Sequence, residues 1–252
     1  MKLGKLRYNS EFIAIKFFYE TKNWSINWMC KQLEISRAAY YKWLNREIPE
    51  QEAVAENRLG RDFYATAPNE KWTTDVTEFK IPGEKKKLYL SAILDLYDRY
   101  PVAYVISTRN NNELVFKTFD KAIAANPEAK PLFHSDRGFQ YTSKVFQMKL
   151  KEHKIEQSMS RVGHCIDNGP TEGFWGIIKS EMYQMYDITN ESSLRFAIKD
   201  YIRFYSEKQP QDRYHCKTPL EVRAEALSTA TPQQYLIPKN KRIEKYKEKW
   251  CA

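Results

Sequence analysis

The sequence predicts a mixed α/β fold, a five-stranded sheet with flanking helices, preceded by an N-terminal helical region. Three observations lead there. Between residues 72 and 187 the apolar pattern switches between the two-residue period of strands and the 3–4-residue period of helices. Three strand-like runs come first, and two more follow, each after a helix. The 252 residues are 42% hydrophobic and 14% aromatic, with only 8 Gly and 11 Pro. That composition supports a packed core and excludes wholesale disorder.

The elements follow in order. Ser10, ahead of Glu-Phe-Ile-Ala-Ile-Lys-Phe-Phe, predicts a capped helix. Ser25 opens a second, with Ile26, Met29, Cys30 and Leu33 at 3–4 spacing, and Ser36 caps a third carrying Ala39, Tyr40, Trp43 and Leu44. Two short helices around a tight turn at Glu34-Ile35 fit a helix-turn-helix. Arg37, Tyr41, Lys42 and Arg46 then lie on or near the exposed face of its second helix. The alternative is a plain helical bundle with a solvated basic face. Trp24, Trp28, Trp43 and Tyr40 read as core rather than as base-stacking groups. Pro49-Glu50-Gln51-Glu52 breaks the pattern and Ala67-Pro68-Asn69 is turn-like, which makes 49–70 a linker.

Trp72 to Ile81, Lys87 to Leu96 and Tyr100 to Ser107 are strands rich in β-branched and aromatic residues, the first two separated by the turn Pro82-Gly83-Glu84-Lys85. Asn111 to Ala125 is a helix, Pro131 to His134 a short buried strand, Thr142 to His153 a helix and Ile155 to Ser158 a fifth strand. Asn168-Gly169-Pro170 launches a long helix, since Pro suits a first turn. Residues 190–207 and 218–227 add two more. Three antiparallel strands followed by two βα-linked strands is the order of a ribonuclease-H-like fold. The predicted organisation is 1–48 helical, 49–70 linker, 71–228 core with C-terminal helices and 229–252 basic tail.

The formal net charge of +9 is uneven. Residues 1–60 carry ten basic and seven acidic side chains, 61–191 carry equal numbers, and 192–252 carry thirteen and seven. Basic flanks around a neutral middle suit a polyanion partner, or simply a soluble basic protein. The tail lysines Lys239, Lys241, Lys245, Lys247 and Lys249 are either phosphate contacts or a solvated end. No apolar run approaches the roughly 20 residues of a spanning helix, and the start has no signal-peptide core. The expected location is cytoplasmic, associated with the nucleoid. Cys30, Cys165, Cys216 and Cys251 form no CxxC pair and the four histidines no HxxxH pair, which disfavours a zinc finger or a redox motif.

Three acids stand out by position. Asp75 lies mid-strand, where an ionised group is costly unless paired or metal-bound. Asp136 follows the apolar strand Pro-Leu-Phe-His, at the strand end where open α/β sheets build sites. Glu172 sits in the first turn of the long helix. Phosphodiester transfer needs an activated oxygen nucleophile and a stabilised leaving oxygen, which two Mg²⁺ ions about 4 Å apart can supply. Three carboxylates can hold such a pair: Asp75 bridging, Asp136 on one ion and Glu172 on the other. Taken singly, Asp136 can equally cap a turn and Glu172 can pair with Asn168 at the helix start. Lys179 is seven residues beyond Glu172, nearly two turns, so the two share a helix face about 10 Å apart. There Lys179 is placed to hold a DNA phosphate or base. His134 and Asn168 flank the acids as hydrogen-bond partners of ligands, or His134 is simply a satisfied strand residue. Arg137 and Gln140 either contact DNA or brace the loop.

The motifs then become specific. Trp72-Thr-Thr-Asp75-Val-Thr-Glu-Phe, Tyr89-Leu-Ser-Ala-Ile-Leu-Asp95-Leu-Tyr-Asp-Arg99, His134-Ser-Asp136-Arg-Gly-Phe-Gln-Tyr-Thr-Ser and Asp167-Asn168-Gly-Pro-Thr-Glu172-Gly-Phe-Trp-Gly-Ile-Ile-Lys179-Ser-Glu181 stand in order. Over residues 56 to 225 the chain resembles the DDE transposases (OrfB) of the insertion-sequence-three family. The resemblance implies Asp75, Asp136 and Glu172 as the catalytic, metal-binding triad and Lys179 as the downstream basic residue. It implies Mg²⁺-dependent cleavage and strand transfer of double-stranded DNA at element ends, with Mn²⁺ able to substitute, no covalent protein–DNA intermediate, and a homo-oligomer on DNA. Two other functions remain open at this stage: a nuclease that only hydrolyses, and a catalytically idle remnant that binds element ends.

Three departures from the family pattern matter. Glu172-Gly-Phe-Trp stands where Glu-Ser-Phe-Phe is frequent. Ser206 and Gln209 replace the usual Asn and Arg after Tyr205, which puts a DNA or packing contact in doubt. Relatives with such an N-terminal region usually carry a second basic helical module with a Tyr-Gly-Tyr-Arg-Arg-like motif. Here none separates Trp43 from Trp72, and the junction near Glu52 to Arg58 reads as an internal deletion. The expectation is a chemically complete core with reduced recognition of DNA ends; full transposition in a cell-based assay would contradict the impairment.

Overall fold

The computed structural model describes residues 9–22, 24–44, 54–161 and 165–236. The chain divides into two compact units, Met1–Gln51 and Glu52–Ala252.

In the first unit three helices enclose a small core. These are α1 (Asn9–Lys22), α2 (Ile26–Gln32) and α3 (Arg37–Leu44). Phe12, Ile15, Met29, Cys30, Ile35 and Tyr40 meet inside. The Ser25 hydroxyl accepts from the Trp28 amide and caps α2, as the sequence predicts. Glu34 takes a left-handed backbone (φ 54°) in the turn to α3, and the Ile35 amide returns to the Cys30 carbonyl at 2.9 Å. Two readings are corrected. α1 starts at Asn9, so Ser10 lies within the helix rather than capping it. Trp24 and Trp28 are not core: they are 46% and 52% exposed, with Trp24 stacked on Phe18 at 4.8 Å. The unit is too small to enclose every aromatic, and Tyr40 takes the interior place. Leu33 and Leu44 are likewise exposed. Arg46, the tail lysines, and the side chains of Lys42 and Trp43 lie outside the described residues.

The second unit is a five-stranded sheet in the order β3-β2-β1-β4-β5. The strands are β1 (Lys71–Lys80), β2 (Lys87–Asp95), β3 (Pro101–Ser107), β4 (Leu132–Ser135) and β5 (Glu156–Met159). β1 pairs antiparallel with β2 and parallel with β4; β2–β3 is antiparallel and β4–β5 parallel. This is the mixed ribonuclease-H-like sheet predicted from sequence.

Strand alternation feeds two cores, one on each face. Leu88, Leu90, Ala92 and Leu94 of β2 meet α6 (Gly169–Met185) and α7 (Glu191–Glu207) through Phe174, Ile178, Met182, Ile198 and Tyr201. Trp72, Ile93 and Phe133 meet Phe119 of α4 (Asn112–Ala125) and Phe146 of α5 (Lys144–Glu152) on the other face. Each fully buried side chain of this size contributes about 1.5–3 kcal/mol. α8 (Pro219–Leu227) is the last helix among the described residues, with a capping box between Thr218 and Glu221.

The segment read as a linker packs onto the core from residue 54 onward. Ser158 Oγ accepts the Arg58 and Leu59 amides, both at 3.0 Å, and Leu59 is buried. Its polar composition concealed this, because its partners lie about a hundred residues away. The junction at 45–53 lies outside the described residues.

Candidate active site

The site is built where β1, the end of β4 and the start of α6 meet. Thr73 pairs with His134 across the parallel β1–β4 ladder. Asp75 and Asp136 each lie two residues further on, so neighbouring strands deliver the two acids side by side. α6 then lies along β1 in matched register. Thr171 Oγ1 donates to Thr73 Oγ1 (2.8 Å), Trp175 Nε1 to Asp75 Oδ2 (3.0 Å), and Lys179 Nζ to Thr77 Oγ1 (2.5 Å). Every second strand residue meets every fourth helix residue, steps of about 6.7 and 6.0 Å, so the match holds over three contacts. Glu172, next to Thr171, is thereby set in the first turn of α6, near enough for its charge to act on Asp75.

The electrostatics agree. Burial first, then the nearby carboxylates of Asp136 and Glu172, push Asp75 up to about 6, against hydrogen bonds from the Val76 amide and Trp175. Desolvation also raises Asp136 and Glu172. Glu172 is exposed and its carboxylate makes no hydrogen bond or ion pair with the described residues. Asp136 Oδ1 accepts the Gly138 amide at 2.9 Å, and an added Cβ at Gly138 would stand 2.9 Å from that oxygen. Among the described residues, no three His, Cys, Asp or Glu side chains stand close enough together to hold a metal ion.

The remaining predicted residues fall into distinct places. His134 is buried and bridges β4 to β5, with Nδ1 2.8 Å from Ser158 Oγ and Nε2 3.1 Å from Ser160 Oγ. Burial holds it neutral, with its pKa lowered to about 4. Both of its ring nitrogens thus meet serine hydroxyls. Asn168 Nδ2 donates to the Thr74 carbonyl (3.1 Å), tying the start of α6 to β1, while its buried Oδ1 has no partner among the described residues. Asn168 makes no side-chain cap, so the predicted pairing with Glu172 is absent. Arg137 Nε donates to the Ser160 carbonyl (2.8 Å), and buried Gln140 donates to Asn110 Oδ1 (2.6 Å). Both brace the Asp136 loop. Arg37 lies in the first unit, its guanidinium 5.6 Å from the Tyr41 ring.

Sequence reasoning missed three supports. Asp167 is fully buried and accepts from Arg61 Nε (2.6 Å), Arg161 Nε (3.0 Å) and Asn57 Nδ2 (2.9 Å), a clasp that fixes the approach to α6. Arg223 Nη1 donates to both Asp95 (3.0 Å) and Asp98 (2.9 Å), and its Nη2 to Asn69 and Asn126. Trp175, noted in the sequence only as part of the Glu172-Gly-Phe-Trp departure, supplies a donor to Asp75. Asp95, Asp98 and Asp167 stand in the motifs, but nothing in the sequence pairs them with arginines so far along the chain. The two departures, Ser206 in the last turn of α7 and Gln209 just beyond its end, make internal hydrogen bonds. Ser206 Oγ donates to the Ile202 carbonyl, and Gln209 donates to Glu181 (3.1 Å), which also accepts from Tyr201.

Comparison with known proteins converges on the same region. Two families, each described as Integrase core domain, match residues 65–165 and 172–235. The chain is 40% identical over 175 residues to an uncharacterized transposase-like protein of Haemophilus influenzae, covering 69% of this chain and 80% of that protein. It belongs to the insertion-sequence transposases with an integrase core. This is the family that its motifs resemble. Another member, InsK of insertion sequence element IS150 from Escherichia coli (strain K12), is 44% identical over 171 residues. That match covers 68% of this chain, which spans 60% of the InsK length. The transposase fold also resembles the cryoEM structure of a simian T-cell lymphotropic virus intasome in complex with PP2A regulatory subunit B56 gamma. There the TM-score is 0.56 at 16% identity, over 92% of this chain and 80% of that one. Among the described residues no helix is long and apolar enough to cross a membrane.

Proposed function

We propose that this chain catalyses metal-dependent cleavage of DNA at the ends of an insertion element and transfer of the cut strand into target DNA. The observation that carries the reading is that Asp136, at the β4 end, and Glu172, on α6, both act electrostatically on Asp75 of β1 and raise its pKa. In the absence of a cation, this cluster repels itself.

The donor set fits Mg²⁺. All the donors are carboxylate oxygens, the hard ligands this ion takes. Glu172 is unbonded among the described residues, Asp75 keeps lone pairs free beyond its bonds from the Val76 amide and the Trp175 indole, and Asp136 beyond its bond from the Gly138 amide. Mg²⁺ held by Asp75, Asp136 and Glu172, two ions in our reading, supplies activation of the attacking oxygen and charge stabilisation at the leaving oxygen. The chain's own residues do the rest. Lys179 offers a cation beside the site for the DNA backbone. Asn168 and the Asp167 clasp hold the foot of α6, and therefore Glu172, against β1. The basic N-terminal region, with Arg37, Lys42 and Arg46, is assigned to DNA-end recognition, and the protein acts as a homo-oligomer on paired ends in the cytoplasm.

The test is a cleavage and joining assay on labelled element-end DNA with Mg²⁺ or Mn²⁺, run beside Glu172→Gln. Joined products that vanish in the variant support the proposal. Cleavage without joining points to a nuclease, and binding without either points to an idle DNA-binding remnant.

A further inference from the structure

We propose that Trp175 is a positioning residue for Asp75: its indole N–H fixes the carboxylate so that the unused lone pairs face Asp136 and Glu172. The proposal rests on the reading of Asp75 as a metal ligand.

An indole nitrogen is a donor only, with a single N–H and one direction. Trp175 is 6% exposed and packs beside Phe174, ring centroids 5.2 Å apart, within the α6–α7 core. Its ring is therefore held by packing, and its donor points at one acceptor, Asp75 Oδ2, at 3.0 Å. The other oxygen, Oδ1, accepts the Val76 amide at 2.7 Å. The carboxylate is thus clamped on both oxygens by donors whose own positions are fixed. Each oxygen retains one lone pair for a cation. Trp175 also stands three residues after Glu172 on α6, so one helix sets both a second acid and the orientation of the first. Ligating carboxylates are commonly held in this way by outer partners, whose loss typically costs 10–100-fold in metal affinity. A phenylalanine at 175 fills much the same space but leaves Asp75 Oδ2 without its donor. The difference between Trp and Phe here is thus a difference in the site, not only in the core.

The experiment measures Mn²⁺ binding to the full chain by calorimetry for wild type, Asp75→Asn and Trp175→Phe, with thermal unfolding of each. We expect Trp175→Phe to keep a cooperative melt and to bind Mn²⁺ roughly tenfold more weakly. At saturating metal its strand cleavage recovers towards wild type, a split that a merely structural role does not produce. Equal Mn²⁺ affinity in wild type and Trp175→Phe overturns the inference while leaving the proposed function intact. Wild type that binds no Mn²⁺, or binds it equally in Asp75→Asn, overturns the proposed function and this inference together. A second measurement needs no substitution to fold. With ¹⁵N-labelled tryptophan in the wild type, the indole resonance of Trp175 should broaden first among the six on adding substoichiometric Mn²⁺. A Trp175 signal that stays sharp while Mn²⁺ binds overturns the inference.

Discussion

The Lys179 ammonium donates to Thr77 Oγ1 at 2.5 Å and lies 5.5 Å from the centre of the Phe79 ring. It is the third of the α6 side chains, four apart, that track β1, with Tyr183 against Phe79 next, and it leaves a cation two strand residues from Asp75. Burial lowers its pKa, while Glu78 and then Asp75 oppose the shift. A charge kept there at the expense of desolvation suits a group that a DNA phosphate later pairs with. Lys179→Met should therefore weaken binding of element-end DNA roughly tenfold at low salt, and lower the slope of log affinity against log salt by about one unit. Binding isotherms at several salt concentrations check this; an unchanged slope assigns Lys179 to packing alone.

Gly138 sits under Asp136, where the space for a side chain is already taken. A Cβ there would lie 2.9 Å from Asp136 Oδ1 and 3.0 Å from Gln140 Oε1, so Gly138→Ala must push the carboxylate aside. A displacement near 1 Å at a reacting centre costs about 10²-fold in rate. We expect cleavage to fall by that order while the melting temperature moves little, because the strain is local to an exposed loop. Single-turnover cleavage beside thermal melts separates the two effects.

What was legible in the sequence divides by distance along the chain. β1 and β2 could be read because their apolar residues alternate locally, and the three acids stood out because Asp75 is an acid in mid-strand while Asp136 and Glu172 sit at element boundaries. The bridges between elements could not. Asp167 finds Arg61 106 positions away, and Arg223 finds Asp95 128 positions away. Residues 54–61 looked like solvated linker for the same reason, since their partners are on β5 and before α6. The aromatics of the first unit failed differently. Helical spacing places Trp24 and Trp28 with apolar neighbours, but a core built from six residues has no room for them.

The Asp167 clasp carries a pH signature. Hydrogen bonds from Arg161 and the charge of Arg61 outweigh its burial and hold the carboxyl well below the usual carboxylate range. The folded-state pKa is depressed, so the unfolded chain binds the proton more readily. Its stabilisation is fully present above pH ~4, the unfolded value, and is lost as pH falls further. Asp167→Asn leaves Arg61, 2% exposed at its side chain, facing a neutral group. We expect a loss of about 3–5 kcal/mol at pH 7, shrinking steadily below pH ~4 as wild type protonates. Urea melts across pH 3–7 measure it, and a difference independent of pH would remove the electrostatic account.

Arg223 makes the strongest structural demand. One nitrogen serves Asp95 and Asp98 together while the other serves Asn69 and Asn126, and both acids are fully buried. Burial and then Asp95 raise the Asp98 pKa, and Arg223 opposes them. Without the guanidinium, two buried carboxyls at the end of β2 face each other unpaired. Arg223→Met should therefore cost about 3–5 kcal/mol, a large share of the roughly 5–15 kcal/mol that a domain has. Arg223→Lys should recover little, because an ammonium cannot present the planar fork that spans four acceptors on three separate segments. Since Asp95 is the β2 partner of Trp72, three residues before Asp75 on β1, the damage should reach the site: cleavage should fall in step with the folded fraction. Denaturant melts and activity measured at matched folded fraction distinguish this from a direct role in catalysis, which would leave a deficit after that correction.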